Sequence, residues 1–331
     1  MDSRKDMRPM ATLELATEKT LVRTVGEVEF GSFASPANTE TVRNTLVIAS
    51  YNIRYAVGSF LITGSIGRRV RLSRHKRRPR LVAHHLQKAA TALSDGVRLP
   101  TPEILALQEA DKETTRAGRH DIARELAQKL RMNYALASAD TPQSEVPKSQ
   151  QWYLDFEEHL QPSDGGKTGV AILSRLPFAK IERIDLPWTD CPWRPRLALA
   201  ATIQNGERKL HIFNSHIDPH AEISEQLEQH EAVLSRAEGL TDPVILLGDF
   251  NTLSKRSGLA MRALLESKGF RTPFRTGTAT WRAGLIRLHT DWIFVRGAKV
   301  KRFGVARGLR VSDHWPVWVE VDLAEEAGRS A

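Results

Sequence analysis

Two short motifs in the last third of the chain contain the residue types that a hydrolytic site needs. The apolar run Val244 to Leu247 ends in Gly248-Asp249-Phe250-Asn251, and Ser312-Asp313-His314 precedes a second apolar alternation. The first motif places an acid and an amide at the tip of a predicted buried strand. The second places an acid beside an imidazole. Because functional side chains often lie in loops held by a rigid sheet, the two motifs predict a hydrolase.

Polar side chains follow other predicted strands as well. The residues at strand ends are Asn52, Glu109, His216, Asp249, Asn251, Asp291, Asp313 and His314. Carboxylates and an amide suit a hard divalent cation such as Mg²⁺ or Mn²⁺, which prefers oxygen ligands. A zinc site would need more His or Cys at close spacing, and Pro219 argues against a helix between His216 and His220.

Two other kinds of active site are excluded by missing motifs. The sequence has no GxSxG elbow for a nucleophilic serine and no Walker-type loop for nucleotide phosphates. What remains is metal-assisted attack of water on a phosphate ester.

The composition is that of a soluble globular protein, with 41% hydrophobic and 26% charged residues. The single cysteine, Cys191, excludes an intramolecular disulfide. No secretory h-region stands at the N terminus, and no apolar run is long enough to span a bilayer. We therefore expect a cytoplasmic protein without a transmembrane segment.

The positive charge is concentrated in residues 68–80, which account for nearly all of the formal net charge of +9. The cationic residues of this basic segment are Arg68, Arg69, Arg71, Arg74, Lys76, Arg77, Arg78 and Arg80, with no acid among them. Two interpretations stay open. The segment either binds a polyanion, such as nucleic acid or an anionic membrane surface, or forms a solvated loop.

Apolar periodicity predicts the elements that position these residues. Strands are predicted at 46–49, 104–107, 170–173, 197–203, 210–217, 244–247, 290–295 and 315–321, and helices at 80–94, 120–131, 222–237 and 256–268. Asn205-Gly206 predicts a hairpin, and residues 138–168 a long surface loop. Strands that are apolar on both faces, with helices between several of them, indicate sheets covered by helices, in the α/β or α+β class.

Seven segments in order resemble the endonuclease/exonuclease/phosphatase superfamily: SYNIR, LALQEAD, GVAILSR, NSHID, LLGDFN, TDWIF and VSDHWP. Each motif is short, but together they span about residues 46 to 322 in the family's order. The resemblance implies a four-layer α/β sandwich, in which two packed mixed β-sheets are flanked by helices. We predict an N-terminal extension of uncertain order at 1–45, a catalytic domain at 46–322 and a tail at 323–331.

The resemblance also implies a metal site for Mg²⁺ or Mn²⁺. Glu109 would be the principal ligand, with Asn52 beside it, and Asp313 would complete the metal shell or orient its waters. A divalent ion would stabilise the negative charge that develops on the phosphate oxygens.

The remaining motif residues receive catalytic roles from the resemblance. Asp249 would orient or deprotonate the attacking water, and Asn251 would hold a nonbridging oxygen or position that water. His314 would contact the phosphate while Asp291 fixes its tautomer. His216 would stabilise the phosphoryl oxygens or the leaving group. A carboxylate beside His314 would raise its pKa and keep the imidazole protonated.

Residues near the motifs are harder to interpret. Arg175, after the strand at 170–173, either touches phosphate or caps its strand. We interpret Asp111, Asp218 and His220 as loop polarity, and Trp188 and Trp193 as packing in a proline-rich loop.

Three substrate hypotheses follow. The first is a nuclease acting on DNA or RNA, supported by the basic segment. The second is a phosphodiesterase or phosphatase for lipid headgroups, inositol phosphates or another small phosphoester, with aromatic loops at 152–156 and 188–193 as apolar contacts. The third is a noncatalytic protein that binds nucleic acid or membrane, which the intact motif set disfavours.

Overall fold

The computed structural model of the protein describes residues 23–25, 27–34, 42–58, 74–140, 165–189 and 196–323. Its strands are β1 (Arg23–Val25), β2 (Val28–Ser32), β3 (Thr45–Asn52), β4 (Ile104–Gln108), β5 (Asn133–Asp140), β6 (Lys167–Ser174), β7 (Phe178–Asp185), β8 (Leu197–Asn205), β9 (Arg208–His216), β10 (Val244–Asp249), β11 (Trp281–Ala283), β12 (Ile286–Leu288), β13 (Asp291–Arg296), β14 (Lys299–Val305) and β15 (Val317–Asp322). Its helices are α1 (Arg74–Ser94), α2 (Ile122–Leu130), α3 (Ile223–Ala237) and α4 (Lys255–Ser267).

Two large mixed sheets form the centre of the molecule. The first has the strand order β1-β2-β5-β6-β4-β3-β15-β14, and the second has the order β13-β10-β9-β8-β7. Strands β3 and β4 are parallel, as are β9 and β10, while their other neighbours are antiparallel. A small hairpin, β11–β12, stands apart from both sheets. The predicted class, two mixed sheets flanked by helices, is confirmed.

The strands are apolar on both faces because each sheet is covered on both sides. Along β3, Leu46 and Ile48 pack in the core between the two sheets, whereas Ala49 and Tyr51 pack beneath the helices α1 and α2. Successive side chains of a strand point to opposite faces, which gives this alternation. A third core lies between the second sheet and the helices α3 and α4.

A buried polar link joins the two sheets directly beneath the strand ends. Gln108 on β4 donates to Asn214 on β9 (2.6 Å) and to Ser50 (3.1 Å). The Asn214 amide donates in turn to the carbonyls of Leu107 and Ala171, at 2.9 Å each. Since an unpaired buried amide costs about 1–3 kcal/mol, this network holds the sheets in one relative position.

Helix α1 begins at the end of the first sheet where β3 and β4 finish. It connects these two parallel neighbours, so it must run back antiparallel to both. Two contacts anchor it: His85 Nδ1 lies 2.9 Å from the Ala56 carbonyl, and His120 Nε2 lies 2.9 Å from the Pro79 carbonyl. The interpretation of the basic segment as a solvated loop is therefore wrong from residue 74 onward, and the alternative of polyanion binding stays a prediction. Pro79 lies within the helix.

The predicted helices and strands are all present with shifted ends, and the other differences concern weakly patterned segments. β1 and β2 lie inside the predicted extension 1–45, and β2 pairs with β5 in the first sheet, so the sheet begins before residue 46. The two ends of the predicted loop 138–168 belong to strands instead, because β5 continues to Asp140 and β6 starts at Lys167, and residues 141–164 lie outside the described residues. In the described part of the chain, no helix has the length and apolarity needed to cross a membrane.

Candidate active site

The ends of five strands bring the predicted site residues to one edge of the molecule, which we call the catalytic end. Asp249 is in register with Asp291 on one side and with His216 on the other. In the first sheet, Asn52 is the last residue of β3, and Glu109 directly follows β4. The inter-sheet link therefore aligns residues that are far apart in sequence.

Asp249 lies at the centre of this group and is buried. The Asn52 amide donates to Asp249 Oδ2 (2.9 Å) and to Glu109 Oε1 (3.0 Å), and the Asn251 N–H donates to Asp249 Oδ1 (3.1 Å). Burial raises the pKa of Asp249 to about 7, and the charge of Asp291 adds to the rise, against the opposing effect of His314. A carboxylate with this pKa can take up a proton near neutral pH.

His314 and Asp291 form a buried pair beside Asp249. His314 Nδ1 lies 2.9 Å and 3.1 Å from the two Asp291 oxygens, and its Nε2 lies 3.7 Å from Asp249 Oδ2. Burial lowers the pKa of His314, but the charges of Asp291 and Asp249 outweigh it and raise the value to about 10. His314 is therefore an imidazolium at neutral pH.

Two threonines hold Asp291 in place. The Thr290 hydroxyl donates to Asp291 Oδ2 (2.8 Å), and the Asp291 N–H donates to Thr280 Oγ1 (3.0 Å). All three residues are buried. The carboxylate thus has a fixed orientation toward the His314 ring.

The Gly-Asp-Phe-Asn motif has a backbone that explains two of its residues. Gly248 has φ 143°, and a Cβ there would lie 1.9 Å from the Ser215 carbonyl oxygen, so only glycine fits. Asn251 has φ 49°, a left-handed conformation that asparagine tolerates better than most residues. Its amide donates to the Ile217 carbonyl at 2.8 Å. The motif therefore sets the direction of Asp249 through its backbone.

Asp313 forms a salt bridge with a cationic side chain of the protein. Arg54 Nη1 lies 2.9 Å from Asp313 Oδ2, the Trp281 indole N–H donates to the same oxygen (3.1 Å), and Ser312 Oγ donates to Oδ1 (3.2 Å). The charge of Asp313 raises the pKa of Arg54 above its usual value despite burial. These contacts give Asp313 a structural partner, and its place in a metal shell stays a prediction.

Arg54 could not be recognised as a site residue from the sequence, because its salt bridge with Asp313 forms only in the folded chain. The residues Arg54, Tyr55 and Ala56 have φ of 46°, 39° and 56°, three consecutive left-handed conformations. Such conformations are costly for residues other than glycine and concentrate at functional sites.

Arg196 is a second cation that the sequence did not reveal. Its Nη1 lies 3.3 Å from His216 Nε2, and His216 Nε2 lies 3.7 Å from Asp249 Oδ2. Its Nη2 lies 3.8 Å from Asp218, which is buried and accepts a hydrogen bond from Thr189 (2.9 Å). Asp218 is therefore a structural partner of the site, and its interpretation as loop polarity is wrong.

Asp111 is likewise part of the structure beneath the site. Arg116 Nε and Nη2 contact its two oxygens at 2.6 Å and 3.0 Å, and the guanidinium lies over the Tyr55 ring at 4.1 Å. Arg116 Nη2 also donates to Thr168 (3.3 Å). This buried pair braces the loop that starts at Glu109, whose own φ is 52°.

A cleft of about 320 Å³ opens over this group. Its lining residues are Glu109, Thr168, Gly169, Val170, Arg196, Leu197 and His216. A phosphate group in the cleft would meet a carboxylate on one side and the Arg196–His216 pair on the other.

The donor chemistry fits an oxygen-preferring divalent ion. Glu109 and Asp249 approach one amide group of Asn52 from two sides, an arrangement of negative charge that a cation would neutralise. Among the described residues, ligand atoms of Asp249, Asp291 and His314 also lie within 4.8 Å of one another. A metal on His314 would need the neutral imidazole, whereas its pKa is raised. A protonated His314 is a poor metal ligand, whereas Glu109 and Asn52 offer oxygen atoms, so metal ligation by Glu109 and Asn52 stays a prediction.

Comparison with known proteins identifies the family of the chain. The model of the endonuclease/exonuclease/phosphatase family matches residues 49–314. The chain belongs to this family. A comparison with curated protein sequences gave no match.

Several solved structures of other proteins have a similar fold. The endonuclease/exonuclease/phosphatase of Beutenbergia cavernae is 19% identical, with a TM-score of 0.57 over 85% of this chain and 72% of that one. A mannosyl-6-phosphatase of Bacteroides thetaiotaomicron is 20% identical, with a TM-score of 0.51 over 83% and 99%. The human nocturnin catalytic domain with bound sulfate is 15% identical, with a TM-score of 0.51 over 89% and 97%.

The substrate-binding residues predicted from charge have mixed outcomes. Arg68, Arg69 and Arg71 lie outside the described residues, as do Trp193 and the aromatic loop 152–156. Arg74 and Lys76 belong to the start of α1, where Arg77 and Arg80 are exposed and Arg78 is half-buried. The described part of the basic segment thus lies on a helix that starts at the catalytic end.

Arg175 lies at the wrong end of the sheet for phosphate binding. β6 is antiparallel to β4, so Ser174 pairs with Ile104 at the start of β4, roughly 13 Å from its catalytic end. The Arg175 side chain donates to the Pro102 carbonyl at 3.2 Å. This contact ties Arg175 to the segment before β4, and a role in phosphate binding or as a cap of β6 has no support in these contacts. The packing predicted for Trp188 is also wrong, because this side chain is 62% exposed.

Proposed function

We propose that the protein is a divalent-metal-dependent hydrolase in which water attacks a phosphodiester. One observation supports this above the others: Asp249, with a pKa raised to about 7, lies between the Asn52–Glu109 pair and the His314 imidazolium, which is itself paired with Asp291. A base, a metal-ligating acid and an imidazolium around one point are what hydrolysis of a phosphate ester requires.

Each side chain has a defined task in this reaction. Asp249 takes the proton of the attacking water, and the Asn251 N–H keeps its carboxylate in position. The His314 imidazolium stabilises the negative charge on the nonbridging oxygens, while Asp291 holds its Nδ1–H. His216, with Arg196 beside it, stabilises the leaving oxygen at the rim of the cleft.

Glu109 and Asn52 would hold the metal, with Asp313 completing its shell. A bound Mg²⁺ or Mn²⁺ supplies Lewis-acid stabilisation of the phosphate oxygens. Asn52 accepts the Arg54 N–H through its Oδ1 (3.0 Å), so this hydrogen bond must be shared or exchanged when its oxygen binds a cation.

Nucleic acid is the first substrate candidate. The start of α1 lies at the catalytic end and presents Arg77 and Arg80 to solvent. Cations beside the cleft would contact the phosphates that flank the scissile one.

A lipid phosphodiester is the second substrate candidate. Four large apolar side chains are exposed at the same end of the molecule: Trp188, Leu253, Leu285 and Ile286. The nonpolar part of a lipid would find contacts there.

A cytoplasmic location remains a prediction from the sequence.

The test compares the full-length protein with Asp249→Ala on plasmid DNA, RNA, bis-p-nitrophenyl phosphate and phospholipid, with Mg²⁺ or Mn²⁺ and with EDTA. We expect activity only with the ion, and a loss of about 10²–10⁴-fold in the variant, the usual contribution of a general base. Activity that persists in EDTA, or in Asp249→Ala at the wild-type rate, would refute the mechanism. The substrate panel decides between nucleic acid and lipid.

A further inference from the structure

Exposed apolar side chains gather in three loops at the catalytic end. Leu285 is 100% exposed and Ile286 57%, both on the β11–β12 hairpin. Leu253 stands two residues after Asn251, and Trp188 follows β7. Single exposed apolar residues are ordinary, but several around one functional cleft indicate an interaction surface.

The hairpin is attached directly to the catalytic residues. Trp281 pairs with His314 as an antiparallel bridge, and its indole donates to Asp313 at 3.1 Å. The Arg282 N–H donates to the Asp313 carbonyl (3.1 Å), and the Trp315 N–H donates to the Thr280 carbonyl (2.7 Å). The hairpin is therefore a fixed projection beside His314.

The two faces of the hairpin differ in chemistry. Cross-strand partners share a face, so Trp281, Ala283, Ile286 and Leu288 form one face and Arg282 and Arg287 form the other. The turn between the strands is Gly284-Leu285, and the φ of 58° at Gly284 suits glycine. Leu285 is thus at the tip, with an apolar face on one side and a cationic face on the other.

The charge of this region is one-sided. Residues 272–290 contain no acid, and the hairpin within this stretch contains Arg282 and Arg287. Arg282 and Arg287 are directly opposite each other, and like charges in that position destabilise a hairpin. An anionic partner would relieve the repulsion between them.

We propose that the catalytic end docks on an anionic phospholipid surface through the β11–β12 hairpin. Leu285 and Ile286 enter the boundary between headgroups and acyl chains, and Arg282 and Arg287 contact the lipid phosphates. Trp188, which follows β7 at the same end of the second sheet, suits the same interface, where indole rings are enriched. The surface goes beyond the hydrolysis proposed above, because it explains how the cleft would reach phosphoesters in a membrane.

The chemistry of the hairpin tip favours lipid over nucleic acid. Proteins that grip single strands do so by stacking bases on aromatic rings, and the tip offers two aliphatic side chains instead. Aliphatic side chains with flanking arginines match the layered chemistry of a membrane surface, apolar below and anionic above.

The test measures binding of the full-length protein to vesicles by flotation, in EDTA so that no hydrolysis is needed. Vesicles of phosphatidylcholine alone are compared with an equimolar mixture of phosphatidylcholine and phosphatidylserine. We expect binding to the anionic vesicles, about tenfold weaker binding for Leu285→Ser/Ile286→Ser, and about fivefold weaker binding for each of Arg282→Gln and Arg287→Gln. Thermal unfolding checks that each variant is folded.

Matched controls are Val97→Ser and Arg131→Gln, which change exposed residues outside the hairpin. They should bind like the wild type. Equal binding by wild type and the Leu285/Ile286 variant would overturn the proposal. A second outcome would also overturn it: the wild type does not bind vesicles, and the Leu285/Ile286 variant loses DNA binding or self-association. The hairpin would then bind DNA or a second copy of the chain. Because binding is measured without catalysis, failure of the proposed hydrolysis gives a separate result.

Discussion

At the scale of single residues, the site depends on how burial and neighbouring charges move two pKa values. Asp249 has its pKa raised to about 7, and His314 has its pKa raised to about 10. Between these values Asp249 is ionised and His314 is protonated, which is the combination that a base and an electrostatic stabiliser need. The pair therefore predicts a pH range as well as a mechanism.

We expect the rate to rise through about pH 7 as Asp249 loses its proton and to fall beyond about pH 10 as His314 loses its own. Asp291→Asn removes the charge that most raises the pKa of His314, so the alkaline limb should move to lower pH. The measurement is the pH profile of kcat/KM for bis-p-nitrophenyl phosphate. An alkaline limb that does not move in Asp291→Asn would show that His314 does not act as a cation.

The same pair affects stability. Because the folded pKa of His314 exceeds its unfolded value, its stabilising contribution is complete below about pH 6.5 and is lost as the pH rises through about 10.

The backbone at Gly248 gives a prediction about a single methyl group. Gly248→Ala places a Cβ 1.9 Å from the Ser215 carbonyl at φ 143°, so we expect destabilisation by several kcal/mol and loss of activity. Gly239→Ala is the matched control, since its φ is 75° with no atom within 4 Å, and should cost about 1 kcal/mol. Thermal unfolding compares the two. Equal shifts in melting temperature would refute the role of the β9 contact.

At the scale of elements, short connections after the strands orient the catalytic side chains. The loop after β4 contains Glu109 at φ 52° and is braced by the Asp111–Arg116 pair. The turn after β3 contains three left-handed residues and directs Arg54 to Asp313. Both connections combine unfavourable backbone with buried ion pairs, so the ion pairs stabilise conformations that the chain would otherwise avoid.

Replacing one partner of the buried pair tests this support. Arg116→Ala leaves Asp111 buried without its cation, which should cost about 3–5 kcal/mol and displace Glu109. Urea unfolding gives the stability, and the metal concentration needed for half-maximal activity reports on Glu109. Arg124→Ala on the exposed face of α2 is the control. A variant that is destabilised but keeps the wild-type metal requirement would limit the pair to a purely structural role.

At the scale of the whole molecule, each of the two sheets supplies part of the candidate active site. The first sheet supplies Asn52 and Glu109, the second supplies His216, Asp249 and Asp291, and the Gln108–Asn214 hydrogen bond joins them. The catalytic end is also where α1 begins and where the β11–β12 hairpin projects. The basic start of α1 and the apolar hairpin are thus two separate surfaces at the same end of the molecule.

The basic side can be tested through salt. If nucleic acid is cleaved, Arg77→Gln/Arg80→Gln should reduce the slope of log KM against log salt concentration by about 1 for each lost phosphate contact. Hydrolysis of bis-p-nitrophenyl phosphate, which has no flanking phosphate, should show no such change. An unchanged slope on DNA would exclude the start of α1 from substrate binding and leave the hairpin as the docking surface.

The sequence alone indicated the family, through which the two-sheet class followed, and it placed the predicted site residues at the ends of strands. The reason is that these depend on local information: an apolar run predicts a buried strand, and the polar residues that end it are written next to it. The glycine of the Gly-Asp-Phe-Asn motif belongs to the same local signal. Strands β2 and β7 were not predicted, because their half-exposed residues give little alternation between apolar and polar positions.

The tertiary structure alone decided which side chains meet. Asn52 and Asp249 are 197 residues apart, and Arg54 reaches Asp313 from the other end of the chain. It likewise excluded Arg175, because the direction of β6 carries that residue away from the cleft. Burial and charge proximity, which set the pKa values of Asp249 and His314, arise only when the two sheets pack. No local pattern encodes them.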